Sequence, residues 1–172
     1  LEKLRPVTVC AMGGSVFGGA TDLAMACDLR IGVPDMVLRM PAAALGLHYY
    51  RGGLRRFVAR LGLQFAKRVF LSAKDLGADE LLAAGYLDQV VPTEALDVTV
   101  QALAEHLATL APLALQGMKQ SLNEIGDALL TDQTPQLMAA VRQREALCHA
   151  SADFAEGRAA FAQKRQPRFE GR

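Results

Sequence analysis

Tryptophan is absent from this 172-residue chain, aromatic residues make up only 6% of it, and cysteine occurs three times. Cys10, Cys27 and Cys148 have no metal-ligand spacing, and two of them lie in apolar segments, where a free cysteine acts as a small core residue. The odd count and the lack of a signal-peptide pattern fit a reducing cytoplasm. No excess charge of one sign is present: 19 basic against 18 acidic side chains give +1, so nothing in the balance calls for nucleic acid or an anionic membrane. No apolar run is long enough to span a bilayer, and there is neither an internal sequence repeat nor a low-complexity linker. What is present is a chain that is 51% apolar and rich in alanine, long enough for one domain with a real core and inclined to helix.

The most informative stretch is Gly13 to Leu29. An apolar run, Val7 to Ala11, reads as a buried strand entered through Pro6. The glycines Gly13, Gly14, Gly18 and Gly19 follow as a turn, and Ala20 to Ala26 reads as a buried helix. A strand, a glycine turn and a helix leave backbone N–H groups free at the helix start, where an anion or a developing oxyanion can be held. Asp22 falls within the first turn of that helix. On these residues alone, tight strand–helix packing with Asp22 offsetting the dipole is an equally good reading. The glycine spacing does not give the Gly-x-Gly-x-x-Gly fingerprint, which sets a dinucleotide module aside.

Further along, Leu29–Val33 and Met36–Met40 read as strands, with a turn at Pro34-Asp35. Pro41–Gly46 is a small-residue connection, and 48–53 a loop crowded with functional side chains. Leu54–Leu61 reads as a short helix with Gly62 at its C-cap, Gln64–Ser72 as a second, and Asp75–Ala84 as a third, ended by Gly85. Leu87–Val91 is a strand closed by Pro92. From there the chain is helical: Ala95–Leu110 carries Leu96, Val100, Leu103 and Leu107 at helical spacing, and Leu113–Ile125 follows Pro112 and ends at Gly126. Thr134 and Pro135 open a long helix to about His149. Ser151 or Asp153 caps a last one over 154–163. A strand that begins so soon after Leu1 calls for sheet partners outside this chain.

Several segments together resemble the crotonase (enoyl-CoA hydratase/isomerase) superfamily. They are Arg-Pro-Val at 5–7, Gly-Gly-Ala-Thr-Asp-Leu-Ala at 18–24, Cys-Asp-Leu-Arg-Ile at 27–31 and Pro-Ala-Ala-Ala-Leu-Gly-Leu at 41–47. They continue with Ala-Lys-Arg-Val-Phe-Leu-Ser-Ala at 66–73, Ala-Gly-Tyr-Leu-Asp-Gln-Val-Val-Pro at 84–92, Ala-Pro-Leu-Ala at 111–114 and the run 156–169. Their order and spacing match the family from residue 5 to the end. The resemblance implies an α/β fold, a crotonase-like spiral of ββα repeats of which 1–92 is the later part, followed by a helical C-terminal segment, 93–172, used in trimerisation. It implies an acyl-CoA thioester as the substrate, with no cofactor apart from the coenzyme A of that substrate, no metal, and assembly as a homotrimer or hexamer. It also implies that roughly half of the family's length precedes the point where this chain begins.

The chemistry shared by the family is a thioester enolate held by two backbone N–H groups. The resemblance puts the second donor at Gly19, beside Gly18 in the substrate site, and the first on a segment before Leu1. Losing one such donor costs about 2.7–4 kcal/mol of transition-state stabilisation. Hydratases of the family use two glutamates, one to handle water and one to handle the α-proton. The matching positions here are Asp22 and Ala42, and an alanine transfers no proton. The resemblance therefore implies a non-standard hydratase or lyase.

A methylmalonyl-CoA decarboxylase subgroup matches locally, through Gly-Ser-Val-Phe-Gly-Gly-Ala at 14–20 and Leu-Gly-Leu-His-Tyr-Tyr at 45–50. Tyr49 stands where that subgroup has a tyrosine facing the substrate carboxylate. His48 or Arg51 would add positive charge, and Tyr50 would line the site. Such a reaction needs no base, and Asp22 would have to point away or be neutralised. Tyr49 and Tyr50 packing with their hydroxyls at the surface is the plainer alternative. Arg51, Arg55, Arg56 and Arg60 read as a basic helix face, solvated or in a subunit salt bridge, with coenzyme A phosphate contact as the sharper reading. Lys164 and Phe169 match positions that reach the coenzyme A nucleotide, against a frayed basic tail. His106 and His149 read as structural or solvated. A catalytically silent acyl-CoA-binding protein is the other class that the loss at Ala42 admits.

Overall fold

The computed structural model describes residues 1–128 and 135–172. Its organisation follows from two consecutive strand–strand–helix units laid one on the other. The first is β1 (Val9–Met12), β2 (Val16–Phe17) and α1 (Gly19–Met25); the second is β3 (Leu29–Gly32), β4 (Val37–Arg39) and α2 (Arg51–Ser72). β1 pairs in parallel with β3, from Val9 opposite Leu29 to Met12 opposite Gly32. β2 pairs in parallel with β4, Val16 opposite Leu38. The repeat that the sequence does not display is thus present in the backbone, as the ββα spiral implies. A further turn adds β5 (Leu76–Gly77), antiparallel to β4, then α3 (Ala78–Ala83) and β6 (Gln89–Val90), parallel to β3. The two sheets therefore run β1-β3-β6 and β2-β4-β5. β1 stands at a sheet edge, with β3 as its one strand partner among the described residues.

Four helices follow: α4 (Leu96–Thr109), α5 (Pro112–Ala128), α6 (Pro135–Ala150) and α7 (Ala152–Ala162). The core lies between the sheets and the first helices. Met25, Ile31, Met36, Leu38, Met40, Phe57, Val69, Leu76, Leu81, Tyr86 and Leu87 are fully buried in it. Each such side chain contributes about 1.5–3 kcal/mol through removal of apolar surface from water. Leu96 of α4 joins this core, with Val100 and Leu103 packed against it, so the helical spacing read from that segment selects the buried face.

Several boundaries differ from the sequence reading. The glycine stretch is not all turn: Val16 and Phe17, β-branched and aromatic, form β2 within it, and Ser15 Oγ accepts from Val37 N at 3.0 Å beside it. Asp75–Ala84 is not helical throughout, because Leu76 and Gly77 pair with β4 first. The strand read at Leu87–Val91 shortens to Gln89–Val90. The helices read on either side of Gly62 form one run, beginning at Arg51 and broken where Gly62 adopts φ 79°. Gly126 does not end α5, which continues to Ala128. Of the two cap candidates for α7, Ser151 does the work: its Oγ accepts from Phe154 N at 3.1 Å. Asp153 instead accepts from Glu170 N and Gly171 N, at 2.7 and 2.9 Å. The cap read at Thr134 lies outside the described residues.

Candidate functional site

Gly18 precedes α1 with φ 54° and ψ −123°, a conformation costly for any residue with a Cβ. That turn is held from both sides: Gly18 N donates to Arg39 O at 3.0 Å, and Thr21 N and Thr21 Oγ1 donate to Gly18 O at 3.1 and 2.7 Å. Gly19 N–H is consequently the first of the helix, exposed, and without an intrahelical acceptor.

One turn further on, Asp22 is only 4% exposed. A buried carboxylate needs a counter-charge and donors. Both arrive from the start of α2 and the loop before it. Arg56 Nη1 donates to Asp22 Oδ1 and Oδ2 at 2.6 and 2.7 Å, and Tyr50 OH donates to Oδ2. Arg56 is fixed from behind by Glu2: Nη2 donates to Oε2 at 3.0 Å, while Nε lies 2.9 Å from Oε1 without hydrogen-bond alignment. Burial works against ionisation of Glu2, but the Arg56 hydrogen bond and the charges of Arg56, Arg60 and Arg55 outweigh it and hold the carboxyl below its ordinary range. For Arg56 burial likewise opposes the charge, and Glu2 and Asp22 overcome it and raise its pKa.

The arginine face is therefore neither solvated nor free for a phosphate at these positions. Arg55 and Arg60 also reach Glu2, Arg55 pairs with Asp127, and Arg60 donates to the carbonyls of Met25 and Cys27. Sequence reasoning missed Glu2 and Arg56 as members of this cluster. The signal was Asp22 itself, an acid opening an otherwise apolar helix.

Tyr49 is not a surface tyrosine. It is 9% exposed, its ring packs at a tilt against Tyr50 and Phe70 with centroids 4.8 and 5.1 Å away, and its hydroxyl is buried with no hydrogen-bond partner among the described residues. Burial first, and then the nearby Asp22 charge, push its pKa up to about 12, so the phenol stays protonated. Gly53 makes this placement possible, since a Cβ there would meet Tyr49 Cε1 at 2.4 Å. Tyr50 keeps its ring 45% exposed while its hydroxyl turns inward to Asp22. His48 is half-buried, with Nδ1 2.9 Å from the Tyr49 carbonyl oxygen. Ala42 is buried and precedes the short 3₁₀ turn Ala43–Leu45.

Gly18, Gly19, Asp22, Tyr49 and Tyr50 are thus brought to one end of α1. No hydrogen bond or ring contact among the described residues joins Lys164 or Phe169 to them; both are exposed on the tail after α7. That tail is ordered against α7 rather than frayed. Glu156 pairs with Arg165 and accepts from Arg168 N at 2.8 Å, and these contacts hold its carboxyl down at about 2. α7 in turn packs on the 43–45 turn, just ahead of His48. Among the described residues no group of three or more His, Cys, Asp or Glu is arranged to hold a metal ion, and no single helix is long and apolar enough to cross a membrane.

Comparison with known proteins bears on the same residues. The chain is 30% identical over 173 residues to methylmalonyl-CoA decarboxylase from Escherichia coli (strain K12), covering 99% of this chain and 65% of that protein. It is 31% identical to 2,3-dehydroadipyl-CoA hydratase from the same organism, covering 100% and 66%. A solved structure of a methylmalonyl-CoA decarboxylase complexed with 2S-carboxypropyl CoA superposes with a TM-score of 0.92 at 30% identity, over 99% of this chain and 65% of that one. The chain thus spans about 65% of the length of these relatives, so that roughly a third of each lies outside the match, less than the half implied by the resemblance. The match to the family described as Enoyl-CoA hydratase/isomerase runs over residues 1–172. With two stacked ββα units, the first of them carrying the glycine turn at Gly18, the chain belongs to the enoyl-CoA hydratase/isomerase family and has the crotonase fold.

Proposed function

We propose that this protein is an acyl-CoA enzyme that generates a thioester enolate by decarboxylation, acting on a short acyl-CoA with a carboxylate on its α-carbon. The observation that carries this reading is the state of Asp22. Both its oxygens are occupied by Arg56 and Tyr50, and the second position at which a hydratase would place an acid is Ala42. Hydration and isomerisation require a group that takes or gives a proton at carbon; loss of CO2 does not. The bond from the α-carbon to the carboxylate breaks, its electron pair passes into the thioester as an enolate, and CO2 leaves. A proton from solvent then adds at the α-carbon.

In this reading Gly19 N–H holds the enolate oxygen, with Gly18 shaping the turn that aims it. The Tyr49 hydroxyl, protonated and without a partner among the described residues, orients the substrate carboxylate, and His48 and Tyr50 line the acyl site. Lys164 and Phe169 contact the nucleotide end of coenzyme A. Assembly as a homotrimer or hexamer belongs to the same reading and is supported by the apolar row of Met118, Leu122 and Ile125, all more than half exposed on α5.

The test is a pair of assays on the intact native polypeptide: decarboxylation of malonyl- and methylmalonyl-CoA, and hydration of crotonyl-CoA. The expected result is decarboxylation that falls in Tyr49→Phe. Strong crotonyl-CoA hydration that survives Tyr49→Phe and is lost in Asp22→Asn would sink this reading in favour of hydration. Tight coenzyme A binding with no turnover of any acyl-CoA would leave a silent binding protein.

A further inference from the structure

Arg56 joins three segments that are distant in sequence. It lies on α2, contacts Glu2 in the segment before β1, and contacts Asp22 on α1. The order of charges along this line is negative, positive, negative, and the outer negative end is shared with Arg55 and Arg60. Asp22 sits three residues after Gly19, one helical turn or about 5 Å along the axis from the N–H at the start of α1. An unpaired carboxylate at that place would repel any acyl group that carries a carboxylate of its own. With Arg56 in place Asp22 presents no net negative charge to the site. Asp22 also accepts from Tyr50 OH, and the Tyr50 ring packs on Tyr49, whose hydroxyl has no hydrogen-bond partner among the described residues.

We infer that Arg56 is a positioning residue that sets acyl-group specificity: it cancels the charge of Asp22 and so lets the site accept a carboxylated acyl-CoA. This rests on the assignment of an acyl-CoA site to the start of α1, but not on the reaction that follows binding. Arg56 does not touch the substrate; it acts through Asp22 and Tyr50. Its side chain is 14% exposed and committed to two carboxylates.

The experiment measures the dissociation constants of two ligands by calorimetry, on the intact native polypeptide. The ligands are 2-carboxypropyl-CoA and propyl-CoA, which differ in the carboxylate alone. The proteins are wild type, Arg56→Met, and the double variant Asp22→Asn with Arg56→Met. Arg56→Met is expected to weaken the carboxylated ligand about tenfold or more relative to propyl-CoA, because a buried unpaired carboxylate now faces it. The double variant removes both charges and is expected to return the ratio of the two constants to within about threefold of wild type. A ratio that Arg56→Met leaves unchanged, with both ligands weakened alike, overturns the inference and makes Arg56 a purely structural residue. A ratio still lost in the double variant overturns it too, since the effect would not then pass through Asp22. Should Arg56→Met fail to fold, Arg56→Gln, which keeps a hydrogen-bond donor toward Asp22 without the charge, takes its place and is read by the same two criteria. Wild-type protein that binds neither ligand overturns both this inference and the proposed function. Wild-type protein that shows the expected ratios but no decarboxylation overturns the proposed reaction alone.

Discussion

Two carboxylates mark the two ends of helix α1, Asp22 in its first turn and Asp28 beyond its last residue, and their surroundings differ in one respect. Asp28, just past its C-terminal end, accepts from Thr8 N, Thr8 Oγ1 and Lys119 Nζ at 2.7, 2.8 and 2.6 Å. Lys119 donates in addition to Pro6 O at 2.9 Å, and Asp28 N donates back to Thr8. All three bonds to Asp28 fall on its Oδ2, and each donor in this small network has an acceptor. At the N-terminal end Asp22 is just as well paired, through Arg56 and Tyr50, but its neighbours are not: the Tyr49 hydroxyl is buried without a partner among the described residues and Gly19 N–H has no intrahelical acceptor. A buried hydroxyl left unpaired costs about 1–3 kcal/mol, which a fold maintains where a ligand supplies the missing bond. The closed end is scaffold, tying α5 to the edge strand; the open end is the candidate site.

Four outcomes would break or sharpen this contrast. The largest effect is expected at the closed end. Asp28→Ala leaves the Lys119 ammonium and the Thr8 donors unpaired, and a loss of about 3–5 kcal/mol in urea unfolding is expected. A loss below 1 kcal/mol would make Asp28 dispensable and erase the distinction. At the open end, Gly19→Pro removes one N–H at the first helical position, where proline is tolerated. Turnover of the carboxylated acyl-CoA should fall by about 100- to 1,000-fold while the unfolding midpoint stays close to wild type. Unchanged turnover would remove Gly19 N–H from the chemistry.

Tyr49→Phe is expected to separate the two properties again. Stability should rise, by about 1–3 kcal/mol, because the hydroxyl has no partner among the described residues to lose and the cost of burying it is removed. Decarboxylation should fall roughly 10- to 100-fold, the value of one hydrogen bond to a charged group. The smallest effect lies in alkaline solution. Burial, followed by the Asp22 charge, raises the Tyr49 pKa from 10 to about 12, so above pH 10 the unfolded chain loses this proton before the folded one does. Wild-type stability relative to Tyr49→Phe should therefore decline as the pH rises from 10 through about 12. Parallel stability curves for the two proteins across that interval would mean that the hydroxyl is not enclosed.

Much of this molecule was legible from residue types in order. The glycine turn before α1, the helical spacing of Leu96, Val100 and Leu103, the break at Gly62 and the cap at Ser151 depend on neighbours within one or two turns, and they are where the residues indicate. The short strands β2 and β5 were not legible, because two residues carry too little pattern to show a strand. They exist because β4 lies between them and pairs with both. Asp22 could be singled out on α1, and the resemblance required that it point away or be neutralised if a carboxylate is to bind. Which residue removes it depends on α2 returning across α1 with Arg56 opposite Asp22, 34 residues away. The pairing of Asp28 with Lys119 spans 91 residues. By itself, then, the sequence determined the family, the helical faces and caps, and the backbone turn at Gly18. Tertiary structure alone decided which charges meet and which hydroxyl is left over. Local conformation is set by short-range sterics and hydrogen bonds, whereas the pairing of buried charges depends on how distant helices pack.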